Sequence, residues 1–432
     1  MRSIFRLSLA LLAFAFLPAG ASAAPPSTVS DSFAIANVRV FDGSQVIPGA
    51  TVVVLNGRID AVGQGVPVPA GVPVIDGAGS TLLPGFIDSH AHARTRQELE
   101  RALQFGVTTE MDMWTTPHFA ASMRREQQRT GAPYRADFFS AISPATLPEG
   151  YPYNFTPNIP ERPTLSGPAE AEAFVAARVA DGADYLKIML EDGFPWFNFE
   201  VPTLTRETVQ ALTQAMHSHG KLAVAHVTEQ YRAETLLLDG VDGLVHIFID
   251  EVADPGFVQL AVMKGVFVVG TLAVEESFMT PEGGLALVAD PDLAPYMTEE
   301  EIGFLLAPPP VTSLTPANLE IAKQNVGLLH AAGVPILAGT DHAAHGILIH
   351  RDLELLVQAG LTPAEALSAA TANAAEAFRL ADRGRIAPGL RADLLLVQGD
   401  PTVEIKNTRK IQRVWKAGVE VDRQVPAAPH GH

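Results

Sequence analysis

The sequence predicts an α/β fold: a (β/α)8 barrel of the TIM type with a small β-sandwich domain built from both chain ends. Two observations predict it. Between residues 82 and 341, eight apolar strand candidates alternate with segments of helical periodicity, as repeated βα units around a parallel sheet require. At both ends of the chain that pattern gives way to short alternating strands separated by turn dipeptides. The chain has 432 residues and is 47% hydrophobic, enough for a large buried core.

Residues 1–23 read as a secretory signal. Arg2 and Arg6 give a positive start, residues 7–17 are apolar but too short to anchor in a bilayer, and Ala21-Ser22-Ala23 is a cleavage signature. The expected mature protein starts near Ala24 and is secreted or periplasmic. Pro18 and the small residues after it argue against a buried helix. There is no cysteine, so the chain has no disulfide, no thiolate metal site and no lipid anchor at the cleavage site. The formal charge of -18 becomes -20 when the two arginines leave with the signal. Such acidity disfavours nucleic acid and anionic membrane as partners. The expected partner is a small-molecule substrate, and homo-oligomerisation is left open.

Residues 24–83 and 383–432 form the expected β domain. Residues 33–40 alternate and turn at Asp42-Gly43; residues 50–55 run through the hairpin signal Asn56-Gly57 into 58–62. Near the other end, 391–397 and 411–416 read as strands, and Ala417-Gly418 turns into 419–421. The barrel is assigned to 84–382. Its first strand candidate, 82–92, begins just inside the β domain. The others are 107–113, 135–142, 183–190, 221–227, 241–247, 266–271 and 334–341. Helical patterns cover 169–180, 205–219, 230–239, 316–332 and 350–359, and 362–381 leads out to the β domain. Two connections are long: 143–168, with seven prolines, and 275–316. Both follow strands, at the face where barrels build active sites, so they are expected to shape the pocket.

The chemistry gathers at strand ends. His90 and His92 are two apart, so in a strand they point the same way. Lys187 lies inside an apolar strand, where a bare ammonium is costly. It needs an acidic partner, a depressed pKa or a modification. His226, His246 and Asp341 end the fifth, sixth and eighth strands. Each alone is weak; six ligand-type residues at the ends of five strands of one barrel are not.

With these residues, and with Pro84-Gly-Phe-Ile-Asp-Ser-His-Ala-His92, Gly339-Thr-Asp341 and Gly384-Arg-Ile-Ala-Pro-Gly-Leu-Arg-Ala-Asp393, the chain resembles the amidohydrolase superfamily. The likeness points to its imidazolonepropionase-like branch, which includes prolidase-like metallo-dipeptidases. The resemblance implies two divalent ions, expected to be Zn²⁺. His90, His92 and Asp341 would bind one, His226 and His246 the other, and N-carboxylated Lys187 would bridge them with a hydroxide. It implies attack of that hydroxide on an amide or peptide bond, with Asp341 carrying the proton to the leaving amine.

Further residues invite a role. Asp88 shares the face of His90 and is a candidate support for the site. His345, Tyr231 and Glu229 are candidate substrate contacts, and Tyr185 a weaker one. His118, His217, His219, His330 and His350 fall on helical patterns and are expected at the surface or at caps. Two other functions stay open: a mononuclear hydrolase or deaminase of a cyclic amide or amidine, with Glu229 as shuttle, and a binding protein on a barrel scaffold. Lys187 counts against the first and the complete ligand set against the second.

Overall fold

The computed structural model describes residues 31–156, 162–196, 200–310 and 312–425. The expected signal segment and its cleavage point lie outside the described residues. Among these residues, no helix is long and apolar enough to cross a membrane.

The N-terminal part forms β1 (Phe33–Phe41), β2 (Val46–Leu55), β3 (Arg58–Gly63), β4 (Val74–Asp76) and β5 (Ser80–Pro84). The hairpin at Asn56-Gly57 forms as its sequence demands, with φ of 49° and 73°. The strand expected over 82–92 is cut in two. Gly85 separates β5 from β6 (Phe86–Ala91), and the two halves belong to different sheets. A Cβ on Gly85 would lie 2.3 Å from Thr108 Cγ2, so only glycine fits where the chain crosses. Its N–H donates to Asp393 O at 2.8 Å.

The barrel segment continues with β7 (Val107–Asp112), β8 (Asp137–Ser140), β9 (Leu186–Met189), β10 (Ala223–His226), β11 (Gly243–Leu244), β12 (Phe267–Val269) and β13 (Ile336–Leu337). All eight expected strands are present and their pairings are parallel. They fall into a three-stranded sheet, β6-β7-β8, and a five-stranded one, β9 to β13. The ladder is therefore not the single closed barrel expected. At one seam, Ala145 N–H donates to Lys187 O (2.8 Å) and Met189 N–H to Ala145 O (3.0 Å). At the other, Ser89 N–H donates to Ala338 O (2.9 Å) and Asp341 N–H to His90 O (2.7 Å). The strands are shorter than their apolar runs because the backbone leaves strand geometry near the site: Thr271 and Asp341 have φ of 47° and 46°.

The helices expected at 205–219, 230–239 and 316–332 appear as Arg206–Ser218, Gln230–Leu238 and Pro316–Ala331. Thr205 and Asp254 cap the helices that follow them by accepting backbone N–H bonds. The run 362–381 is two helices, Pro363–Ala369 and Ala372–Ala377, parted where Thr371 leaves helical geometry. The connection 275–316 is not an irregular loop. It holds most of Leu272–Met279 and all of Glu282–Val288 and Glu299–Leu305.

The C-terminal strands are β14 (Leu394–Gln398), β15 (Ile411–Lys416) and β16 (Val419–Glu420). Both chain ends do pair: β14 runs antiparallel to β5, with Leu395 opposite Leu83. The order is β16-β15-β14-β5-β1-β2-β3, with β4 also on β1. The strands form one hydrogen-bonded eight-stranded sheet, which does not confirm the two-sheet sandwich expected. It curls because its edge strand bonds back to the segment entering β14: Ile59 N–H donates to Leu390 O, and Ala392 N–H to Gly57 O, both at 2.9 Å. Ile35, Val52, Val54, Leu394 and Trp415 fill the hollow, and the Phe33 and Trp415 rings stack at 5.0 Å.

Candidate active site

All six expected ligand-type residues line one cavity of about 570 Å³. His90 comes from β6 and His92 from just past it. Lys187 comes from β9, His226 ends β10, and His246 and Asp341 lie just beyond β11 and β13. Asp341 is the hub. Its Oδ1 is 2.9 Å from His92 Nε2 and 3.6 Å from His90 Nε2, and its Oδ2 is 3.5 Å from His246 Nε2. Lys187 Nζ lies 3.4 Å from His90 Nε2. The rings of His90 and His226 each stand 4.6 Å from that of His246.

Burial sets the charges. Burial alone would raise the Asp341 carboxyl, but the His90 and His92 imidazoles outweigh it and hold the group well below the usual carboxylate range. Burial pushes the His90 and His246 imidazoles well down, lowers His226 as well, and brings the Lys187 ammonium down to about 7. Burial that disfavours protonation of His90, His226 and His246 leaves their ring lone pairs available to a divalent cation. One ligand atom each from His90, His246 and Asp341 lie within 4.8 Å of one another. The residues present therefore fit a metal.

Outer contacts hold the ligands. Asp88 is buried beneath the site. It accepts from the N–H of His90 (3.1 Å), the N–H of Thr340 (3.0 Å) and the Thr340 hydroxyl (2.7 Å), tying β6 to the end of β13. Burial and the nearby Glu110 push its carboxyl up to about 7. His246 Nδ1 is 2.8 Å from Thr271 Oγ1. His345 lines the cavity and its Nδ1 is 2.9 Å from Glu110 Oε1. Burial alone would lower His345, but Glu110 outweighs it and lifts the imidazole to about 9.

The wall is aromatic. Trp114, Tyr151, Phe155, Trp196 and Phe278 line it, so the connections 143–168 and 275–316 both contribute, as expected. Tyr151 packs on His226, ring centres 5.1 Å apart. Trp196 stands 4.8 Å from Phe278 and 6.4 Å from His246.

Tyr231 and Glu229 do not reach the cavity. Both sit where Gln230–Leu238 begins. Tyr231 is 54% exposed beneath the Arg232 guanidinium, and Glu229 accepts from Arg232 Nε at 2.7 Å. The helix begins at Gln230, four residues after His226, with Glu229 at its N-cap, and this carries both side chains outward. This removes the shuttle that the one-metal deaminase would need. Tyr185 is buried away from the cavity and donates to Asp112 O at 2.8 Å. His118, His217 and His219 are exposed and His330 half-buried, as expected. His350 is not at the surface: it is fully buried, 3.1 Å from Thr408 Oγ1 and 3.2 Å from Phe105 O.

Sequence reasoning missed Glu110, Glu191 and Glu275, all buried. Glu110 carried a signal, since an acid within the apolar run of β7 poses the same problem as Lys187. Glu191 and Glu275 follow their strands and carried none.

A curled terminal sheet lies beside the parallel strands, with histidines, lysine and aspartate gathered at their ends. The chain belongs to the amidohydrolase family, whose sequence profile matches residues 81–421. It is 34% identical over 139 residues to an imidazolonepropionase of Cereibacter sphaeroides, a match spanning 28% of this chain and only 34% of that relative's length. A second imidazolonepropionase, from Streptomyces griseus, is 25% identical over 411 residues, covering 87% of this chain and 93% of the relative. Among solved structures, a putative prolidase from Bifidobacterium longum superposes with a TM-score of 0.72 at 25% identity, covering 93% of this chain and 96% of that one. A Xaa-Pro dipeptidase gives 0.71 at 21% identity, over 90% and 100%. These likenesses imply a TIM-barrel-type fold with an additional domain.

Proposed function

We propose that this chain is an exported binuclear amidohydrolase that cleaves an amide or peptide bond in a small substrate, such as a dipeptide, an N-acyl amino acid or an amide-linked toxin. One observation carries the proposal: four imidazoles, a buried lysine and a carboxylate converge from five strand ends on one cavity. In this reading His90, His92 and Asp341 hold one divalent ion, His226 and His246 hold the other, and carboxylated Lys187 joins them. Carboxylation answers the cost of burial, because an anion replaces an ammonium stripped of water. The donor set suits Zn²⁺. Ions bound there supply Lewis acidity and lower the pKa of water at neutral pH.

The remaining work belongs to the side chains. Asp341, ionised beside two imidazoles, takes the proton of the attacking water and returns it to the departing amine. His345, anchored through Nδ1 by Glu110, directs its Nε2–H as a donor toward a substrate oxygen. The aromatic wall takes an apolar substituent and excludes bulk water. The names of the prolidase and dipeptidase neighbours favour a peptide-like substrate. Export rests on the character of residues 1–23.

The test is metal content together with a screen of dipeptides and N-acyl amino acids on the metal-loaded mature protein. Two ions per chain and turnover of at least one amide class are expected. Lys187→Ala should lose metal and activity and be partly rescued by a short carboxylic acid. A variant that keeps two ions and its full rate refutes the bridging role, and one ion per wild-type chain refutes the binuclear reading.

A further inference from the structure

Glu191 lies two residues past the end of β9, is 3% exposed, and is not among the cavity-lining residues. It is fixed at both oxygens. Oε2 lies 3.2 Å from His226 Nε2 and 2.6 Å from Thr228 Oγ1, while Oε1 accepts the Gly193 N–H at 2.6 Å. These partners come from two strand ends, so the carboxyl braces β10 against the turn after β9. A carboxylate offers the ring only lone pairs. The contact therefore places the His226 proton on Nε2 and leaves the Nδ1 lone pair bare. His246 is held by a different kind of partner, the Thr271 hydroxyl on Nδ1, with Nε2 facing Asp341. Among the proposed histidine ligands described, His226 alone has a carboxyl on its outer nitrogen.

We propose that Glu191 is the positioning residue of His226. It fixes the ring's orientation and tautomer, makes the ring a stronger donor, and so sets the affinity of one of the two ions without touching it. This rests on the two-ion reading given above. A carboxylate behind a ligating imidazole orients the ring and raises its basicity, and losing such a partner typically weakens metal binding about 10–100-fold.

The test uses full-length mature protein freed of metal by a chelator. Glu191→Gln, Glu191→Ala and Thr228→Val are compared with wild type, Thr228→Val loosening the brace without altering the acid. Co²⁺ is titrated into each protein and each binding step followed by visible absorption. Ring ¹⁵N spectra of histidine-labelled metal-free protein report the tautomer, with the His226 signal identified by its absence in His226→Gln. Wild type should show His226 protonated on Nε2. Glu191→Ala should lose that form and weaken one binding step about 10–100-fold while sparing the other. Glu191→Gln and Thr228→Val should weaken the same step by less. A wild-type His226 protonated on Nδ1, affinities unchanged in Glu191→Ala, or both steps weakened equally in Glu191→Gln would each overturn the proposal. If wild type binds a single ion, the two-ion reading fails separately. The Glu191 proposal then stands or falls on the tautomer and on that one step.

Discussion

Asp341 carries two duties that a substitution can separate. Its Oδ1 faces His90 and His92 and its Oδ2 faces His246, so it is placed to ligate; its depressed pKa keeps it ionised and ready to accept a proton. Asp341→Asn keeps the shape and one oxygen ligand but removes the base. It should retain most of the metal and lose kcat by about 10²–10⁴-fold, the usual worth of a general acid–base group. Normal metal with a near wild-type rate would make Asp341 a structural ligand, leaving His345 as the next candidate. His345 titrates on its own terms. Its folded pKa, about 9, stands above the ordinary value of 6.5, so its pairing with Glu110 stabilises the fold fully below that ordinary value and loses this contribution as pH rises through about 9. His345→Leu leaves Glu110 buried and unpaired, which costs about 3–5 kcal/mol. Denaturant melts at pH 7 and pH 10 should show the gap between wild type and variant narrowing at the higher pH; a gap that widens contradicts the charged pair.

At the scale of elements, the strand ends matter more than the strands. β11 and β13 are two residues long, yet each delivers a ligand-type residue to the cavity. A second polar cluster joins the barrel strands to the terminal sheet. Asp137 Oδ2 in β8 is 2.6 Å from both Arg383 Nη1 and Arg391 Nη1, and 3.0 Å from Lys416 Nζ in β15. Burial alone would raise its carboxyl, but Lys416 and the two arginines outweigh it and hold it far below the usual range. Asp137→Ala leaves buried Arg383 and Lys416 and half-buried Arg391 without this partner and should cost about 3–5 kcal/mol. The contribution is fully present above the unfolded pKa of about 4 and is lost progressively as pH falls from there through the depressed folded pKa. Chemical denaturation at pH 7 checks this, and a cost under about 1 kcal/mol would place the cluster with solvated surface pairs.

For the whole molecule, the two chain ends meet in one sheet, so β14 sits between β5 and β15 only when the full chain is present. If residues 1–23 are a signal, the protein should be recovered outside the inner membrane and begin near Ala24; recovery only in the cytoplasm overturns export, and N-terminal sequencing that finds Met1 on exported protein overturns cleavage. The absence of cysteine means that an oxidising compartment can form no crosslink in this chain.

The sequence by itself determined what is local. Apolar runs alternating with helical patterns placed all eight parallel strands, and residue chemistry at their ends marked the six residues that line the cavity together. Turn dipeptides announced that both chain ends are β-structured. Only the tertiary structure decided contacts between residues far apart in the chain: Glu110 with His345, 235 residues away, and Glu191 with His226, 35 away. It also turned Tyr231 and Glu229 outward, cut the first strand at Gly85 and made one curled sheet where two were expected. The reason is physical. A pattern along the chain reports which face of an element is apolar, whereas a bend, a sheet edge or a buried partner is fixed by atoms that another segment brings close, as Thr108 does at Gly85.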